Sequence, residues 1–511
     1  MIFGTATIQA SATQNISSFN LELVGLDIQS VVVNSQTASF SREHAEVTII
    51  PAVPLVGNQQ FTTIITYSGK PGENLPPDLE QYEEGWENYG YGIMIAGEPS
   101  GSSTWYPVNE HPLDKATYTF IITVAEPYLV AANGVLQETS DNGDTRSFIW
   151  ESANPISSYL VTLAIAEFDI ESEAGPGGVL IRNYFGSGVR NSVRDDFDTT
   201  ADMMAYFSEI FGPYPFETYG VVVHDLELRF ALETQTLSIF GNSFTDEYVV
   251  AHELAHQWFG DSVGLKSWQD IWLNEGFATY ATVLWQEHKV GESAAHEELR
   301  DYYEVMAVGE PILRFSRTGI FNYLEHYPFD EELLPPQQIK TAFQALFGTS
   351  VSATQIDKVI SSLPDTGAAR TDLPNLMSEM NFDTLNIPAS HIREFLVVIG
   401  MESSLDLAPT DYPPPGDPSP DLIFSRSVYQ RGALTLHALR LKLGDAIFFE
   451  LLLSYAERYK YGNASTADFI QLAKEISSVE LDNFFFDWLY AEEIPDIPEM
   501  DLYQADYSIP D

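Results

Sequence analysis

Residues 249–280 read VVAHELAHQWFGDSVGLKSWQDIWLNEGFATY. His252 and His256 stand four residues apart in a stretch whose spacing predicts a helix, so both imidazoles project from one face. Two imidazoles at that spacing can share one Zn2+, and Glu253 between them is placed to take a proton from a water on that ion. A third ligand is still needed. Glu275 lies 19 residues after His256, on the next predicted helix. Two His, one Glu and an open fourth position describe a catalytic zinc site, not a structural one. The other eight histidines, including His44, His111 and His224, have no such partners in the sequence and read as ordinary surface or core residues. Trp258, Phe259, Trp268 and Trp272 read as packing around the site.

The rest of the chain narrows what such a site could serve. Its 511 residues hold 24 Lys+Arg against 74 Asp+Glu, a net charge of −50. Charged residues make up only 19%, below the usual ~25%, so the imbalance reflects missing bases. Such a surface repels nucleic acid and anionic lipid, so both are poor candidates as partners, and no nucleic acid is expected. A hydrophobic content of 44% with 13% aromatics supports a buried core and argues against disorder. The longest apolar run, around residues 159–166, is ended by Glu167, well short of the roughly 18 residues of a membrane span. With no cysteine, disulfides, thiolate metal sites and thiol catalysis are excluded. The chemistry must come from His, carboxylates, hydroxyls or a bound ion.

The elements that must position these residues follow from patterning. Residues 1–175 are strand-rich, as in 61–67 (FTTIITY) and 118–124 (YTFIITV). Asn133-Gly134 and Asn142-Gly143 have the composition of tight hairpin turns. Residues 1–13 lack the basic and apolar regions of a signal peptide and read as a strand under way, with Ile2, Thr5, Thr7 and Gln9 sharing one side. That opening points to a start trimmed from a longer precursor and so to an extracytoplasmic or secreted setting, with a cytoplasmic one left open. After Gly175-Pro176-Gly177-Gly178, helical spacing over 191–211, a buried strand at 221–223 and an edge-like strand over 232–240 give a mixed region, 176–327. Helices are expected over 245–259, 269–290 and 292–306. Proline clusters at 327–336 and 409–420 bracket an expected insert, 328–408, with short helical patterns near 337–346, 354–363, 373–380 and 391–399. Helices resume over 425–489, within a segment 409–500, and 501–511 reads as a loose tail. The fold class is multidomain α+β, an N-terminal all-β saddle or sandwich followed by a mixed α/β region.

HELAHQWFGD followed by WLNEGFATY resembles the zinc signature of peptidase family M1, the aminopeptidase N type metallopeptidases. Residues 18–33 and 97–116 are similar to that family's N-terminal β domain, and 429–440 (YQRGALTLHALR) and 484–490 (FFFDWLY) to the end of its catalytic domain. The resemblance covers about residues 5–315 and 405–498, as in a short two-domain member, and implies a thermolysin-like catalytic domain. It implies one Zn2+ per chain on His252, His256 and Glu275, with Glu253 as general base and acid. The family's GAMEN motif stands here as Phe230-Ala231-Leu232-Glu233-Thr234, where only Ala231 and Glu233 are unchanged. The resemblance makes Glu233 and Glu98 the anchors of a substrate's free α-amine, with Ala231 beside them, and Tyr429 the donor to the tetrahedral intermediate. The stretch between Glu275 and Tyr429 is longer than the family norm, and the surplus matches the proline-bounded insert.

The expected activity is removal of N-terminal residues from peptides with a free amine, by a monomer. Two alternatives stand beside it: a zinc endopeptidase on the same scaffold, and a non-catalytic peptide-binding protein. The latter would be expected to lose one of His252, Glu253, His256, Glu275 or Tyr429, and all five are present. An epoxide-hydrolase side activity is left open by the sequence.

Overall fold

Alternating strands at the N-terminus form two small packed sheets. In the computed structural model, Ile2–Ser11, Gln60–Gly69, Asp27–Val33 and Gln36–Thr37 make one sheet, in that spatial order. Phe19–Glu22, Glu46–Ile50 and Ser39–Glu43 make a second, and Leu23, Val31, Val47, Ile49, Phe61 and Ile65 share one core. The structure describes all residues except 73–84, 229, 309–332, 348–350, 365, 370–371, 379, 381–394, 396–397, 400–412 and 507–511. Most of the helical pattern expected at 391–399, and parts of both proline clusters, lie outside the described residues. The side assignment in the first strand needs correction. Ile2, Gly4, Ala6, Ile8 and Ala10 turn inward, whereas Thr5, Thr7 and Gln9 face solvent, because side chains alternate with period two and Ile2 is out of phase with them.

Two further sheets follow. Ala116–Ala125, Thr145–Ile156 and Val135–Asp141 form a meander. Leu129–Ala132, Leu163–Ala166, Ile93–Ala96 and Gly85–Asn88 form the other, and Trp105, Phe120, Trp150, Tyr159 and Leu160 fill the shared core. Asn142-Gly143 is the expected hairpin turn, with Gly143 at φ 92°. Asn133-Gly134 is not a hairpin, since the strands on either side belong to different sheets. The buried Asn133 instead donates Nδ2 to the Leu160 (3.0 Å) and Gln235 (2.7 Å) carbonyls and accepts from Thr162 N at 2.7 Å.

The sheet behind the site runs Phe168–Ala174, Leu180–Gly186, Thr218–His224, Ser238–Gly241, Ala231–Leu232, parallel in its middle and antiparallel at both edges. The boundary expected near 175 falls inside this sheet, because 168–174 and 180–186 pair across the Gly-rich turn. Thr218–His224 is buried along its whole length, as a strand covered on both faces must be. The strand expected over 232–240 is broken. Ala231–Leu232 is the edge and Ser238–Gly241 an inner strand, with Thr236 between them at φ 67°. The helices Glu247–Ala255 and Trp272–Lys289 match the expected spans to within a few residues, whereas the span expected over 191–211 is broken into the short turns Asn191–Arg194 and Asp195–Phe197 and the helix Thr200–Phe211. Helix Gly432–Leu443 approaches the last of these so closely that a Cβ on Gly432 would lie 2.8 Å from Gly276 Cα.

By its contacts the chain divides into two units: 1–295 with 415–424 and 432–490, and 296–414 with 425–431 and 491–511. The second unit therefore starts before the expected insert and takes in two later segments. It has its own core, including Leu334, Ile339, Phe343, Leu346, Ile356 and Met377. A capping box at Ser352 and Gln355 starts its helix Ala353–Ile360. Among the described residues, no helix is long and apolar enough to cross a membrane.

Candidate metal centre

Helix Glu247–Ala255 begins at Asp246, whose carboxylate accepts from Tyr248 N and Val249 N and so satisfies two of the helix's free donors. The i, i+4 spacing then brings the two imidazoles together, with His252 Nε2 and His256 Nε2 3.0 Å apart. Glu275 enters from the first turn of helix Trp272–Lys289, where the helix dipole favours a carboxylate. That turn is fixed from below. Trp272 Nε1 donates to Thr466 Oγ1 at 2.9 Å, and Asp270 accepts from Thr466 N and Oγ1 at 2.8 and 2.9 Å. Glu275 Oε2 lies 3.1 Å from His252 Nε2 and 3.4 Å from His256 Nε2.

These three separations, 3.0, 3.1 and 3.4 Å, come within a few tenths of an ångström of those around a metal ion. Ligands at the usual zinc distances sit roughly 3.3–3.5 Å apart along the edges of a tetrahedron. The tautomer fits as well: His256 Nδ1 faces the Phe259 carbonyl oxygen at 3.0 Å, so it carries the proton and leaves Nε2 as the free lone pair. Electrostatics agree. Burial alone would raise Glu275, but His256 and the hydrogen bonds from both imidazoles outweigh it and bring it down to about 2. Burial opposes a charge on His256, yet Glu233 and Glu275 overcome that and push it well above the ordinary value. A histidine drawn toward a proton between carboxylates marks a place where a cation belongs. Burial lowers His252.

Two more acids converge on the same point. Glu253 is buried, and its Oε2 has no hydrogen-bond partner among the described residues. Glu233 follows the edge strand Ala231–Leu232, and a carboxylate oxygen of Glu233, one of Glu253 and a ring nitrogen of His256 lie within 4.8 Å of one another. Its backbone is held by Gln257, which donates Nε2 to the Glu233 carbonyl at 3.1 Å and accepts from Thr236 N at 2.8 Å. The helix carrying the imidazoles thus also seats Glu233, which is 2% exposed and is no surface acid. Glu98, just after strand Ile93–Ala96, joins Glu233 and Glu275 within the same 4.8 Å. The Oε1 atoms of both Glu98 and Glu233 are buried without a hydrogen-bond partner among the described residues. Burial, and then the neighbouring carboxylates, raise Glu98 well above the ordinary range. Burial likewise raises Glu233 and Glu253, against the pull of His256.

His252, His256, Glu275, Glu253, Glu233 and Glu98 therefore come together, with Ala231 half-buried on the adjoining edge strand. Tyr429 lies half-buried on the turn Ser427–Arg431, in the second unit. Sequence reasoning missed Tyr159. It is buried, its hydroxyl accepts from Asn274 Nδ2 at 3.1 Å, and burial followed by Glu233 and Glu98 holds its phenol proton firmly. Nothing local marks a tyrosine 115 residues before Asn274 as its neighbour. Trp258, Phe259 and Trp272 are buried as expected, and Trp268 packs edge-on against Tyr159 at 5.0 Å.

Known proteins resemble this chain in sequence and in fold. The profile of the Peptidase family M1 domain matches residues 196–314 and 410–488, and that of the Peptidase M1 N-terminal domain matches 1–160. Aminopeptidase M1 of Arabidopsis thaliana is 29% identical over 204 residues, 37% of this chain and 23% of that protein. Probable aminopeptidase 2 of Sulfurisphaera tokodaii is 26% identical over 342 residues, 63% of this chain and 41% of that protein. The chain thus spans well under half the length of these curated relatives. An M1 zinc metallopeptidase from Deinococcus radiodurans superposes with a TM-score of 0.71 at 25% identity, covering 97% of this chain and 91% of that one. A variant form of that enzyme, bound to a Tyr-Ser-Ala substrate, gives 0.69 at 25% identity, with 98% and 92% covered. The two profiles leave out 161–195, 315–409 and 489–511, the second of these close to the insert expected from its prolines. On these matches, the chain belongs to peptidase family M1.

Proposed function

We propose that this protein is a zinc-dependent aminopeptidase that removes N-terminal residues from peptides, with one Zn2+ per chain held by His252, His256 and Glu275. The observation that carries the reading is the pair of unpartnered, buried oxygens on Glu233 and Glu98 beside that ligand trio. Two such acceptors bind an ammonium more strongly than a neutral donor of similar size, because the hydrogen bonds are charge-assisted. Anchoring the α-amine there sets the cleavage register at one residue from the chain end.

When bound, zinc supplies Lewis acidity, polarising the scissile carbonyl and acidifying a water. Glu253 takes the proton from that water and returns it to the leaving amine. Its raised proton affinity suits both tasks, since a base that gives its proton back must bind it well. Tyr429, on the family resemblance of YQRG, donates to the oxygen on which charge develops. The names of the curated relatives and the peptide bound by the Deinococcus enzyme support the same reading.

A panel of aminoacyl fluorogenic substrates, free and N-acetylated, with and without chelator, tests it. Free-amine substrates should be cut in a chelator-sensitive way and acetylated ones poorly. Equal cleavage of both would replace the proposal with an endopeptidase.

A further inference from the structure

Besides Glu98 and Tyr159, the β-rich N-terminal region meets the metal-ligand segment through an ammonium group. Lys115, just before strand Ala116–Ala125, donates from Nζ to the carbonyl oxygens of Asp261 (2.8 Å) and Ser262 (3.2 Å). Those carbonyls belong to the turn that follows the His252–His256 helix. The turn is tied by Asp261 N to His256 O at 3.1 Å, Ser262 N to Gln257 O at 3.2 Å and Val263 N to Trp258 O at 3.1 Å. Gly260 sits within it at φ 129°, a conformation few other residues adopt. Phe259, in the same turn, presents its carbonyl to His256 Nδ1 at 3.0 Å and so sets that ring's tautomer and direction. Room for the lysine is specific: a Cβ on Gly264 would lie 2.7 Å from Lys115 Cε and 2.9 Å from Nζ. Asn463 clamps the next stretch independently, donating to the carbonyls of Leu265 (2.6 Å) and Pro112 (3.0 Å).

We propose that Lys115 is a positioning residue for the metal centre: it fixes the 256–263 turn whose Phe259 carbonyl orients the His256 imidazole, so the N-terminal region sets metal affinity. The inference rests on the zinc reading above. Burial lowers Lys115 to about 7, and both the ammonium and the free amine donate to carbonyls, so the contact holds on either side of neutrality. Removing the partner that orients a metal-bound histidine typically weakens metal affinity about 10–100-fold.

Zinc affinity is measured by competition with a chelator, together with the visible spectrum of the Co2+-substituted protein. Lys115→Met, one contact removed from that partner, should weaken zinc binding by about tenfold, the low end of that range, and shift the cobalt bands. Asn463→Ala, which loosens the neighbouring strand but leaves the turn tied, should keep both near wild type. Because the chain has no cysteine, Lys115→Cys provides a single thiol. Alkylation with 2-bromoethylamine rebuilds the amine and should restore affinity, whereas 1-bromopropane gives the same length without it and should not. That pair decides the matter if Lys115→Met fails to fold. Equal affinity of the two alkylated proteins, wild-type behaviour in Lys115→Met, or an equal loss in Asn463→Ala would overturn the inference. A wild-type chain that binds no zinc would instead overturn the zinc reading itself.

Discussion

Glu233→Gln is the sharpest perturbation of the amine site, because it keeps the side chain's size and one acceptor oxygen while removing the charge. Glu233 is 2% exposed, its Oε1 has no partner among the described residues, and Glu98 brings a second such oxygen beside it. In so dry a place little water competes for an incoming ammonium. A hydrogen bond to a charged group is worth about 1.5–3 kcal/mol, which is a factor of roughly 10–150 in kcat/KM. The assay measures kcat/KM for one aminoacyl substrate and its N-acetylated counterpart, in wild type and variant. Acetylation removes the ammonium as the substitution removes its partner, so the four values form a double-mutant cycle. Wild type should favour the free amine strongly, and Glu233→Gln should lose that factor on the free substrate while changing little on the acetylated one. Zinc content should stay constant. An equal loss on both substrates would show that Glu233 serves the metal or the fold and not the amine, and the reasoning would fail.

Glu253→Gln should retain zinc by elemental analysis and lose about 10²–10⁴ in kcat, the usual worth of a general base. Normal turnover would exclude Glu253 from proton transfer. Tyr429→Phe should cost on the order of 10²–10³ in kcat with little change in KM, zinc content or Tm. A zinc-loaded variant with normal kcat would end that assignment. At a net charge of −50, self-repulsion should be relieved by screening, so Tm should rise from low to moderate NaCl, and a flat or falling curve would refute it. His224 is buried and burial lowers it from 6.5 to about 3. The unfolded chain therefore takes up a proton first, and stability falls as pH drops from 6.5 toward 3, by at most about 1.4 kcal/mol per unit. Glu110, raised by burial from 4.5 to about 7, acts oppositely between those values. Denaturation below pH 4.5 should thus be less steep in His224→Gln than in wild type, and identical slopes would refute the assignment.

The parts of the site that the sequence makes legible are those set by short-range geometry. The i, i+4 spacing of His252 and His256 survives any detail of packing, and Glu275 is marked by its own helix and surroundings. What escapes is set by contacts distant in sequence. Tyr159 and Lys115 reach Asn274 and the Asp261 turn across more than a hundred residues, and no periodicity encodes that. Two local signals misled for a physical reason. Asn133-Gly134 has hairpin composition, but the buried Asn133 amide bonds three distant backbone groups and the chain changes sheets there. The alternation over 232–240 suggests one strand, but Thr236 turns left-handed and Gln257 captures the backbone on both sides of the break. That break keeps Glu233 in the site and out of solvent.

The central claim is a single zinc ion, on His252, His256 and Glu275, that the cleavage of free N-termini requires. Metal content and turnover measured on the same samples test it most directly, as purified, after chelation and after zinc is returned. The account predicts one zinc per chain, activity that rises in proportion to zinc content, and neither zinc nor activity in the His252→Ala/His256→Ala double variant. Full zinc occupancy in that double variant, or undiminished turnover in the metal-free protein, would contradict it.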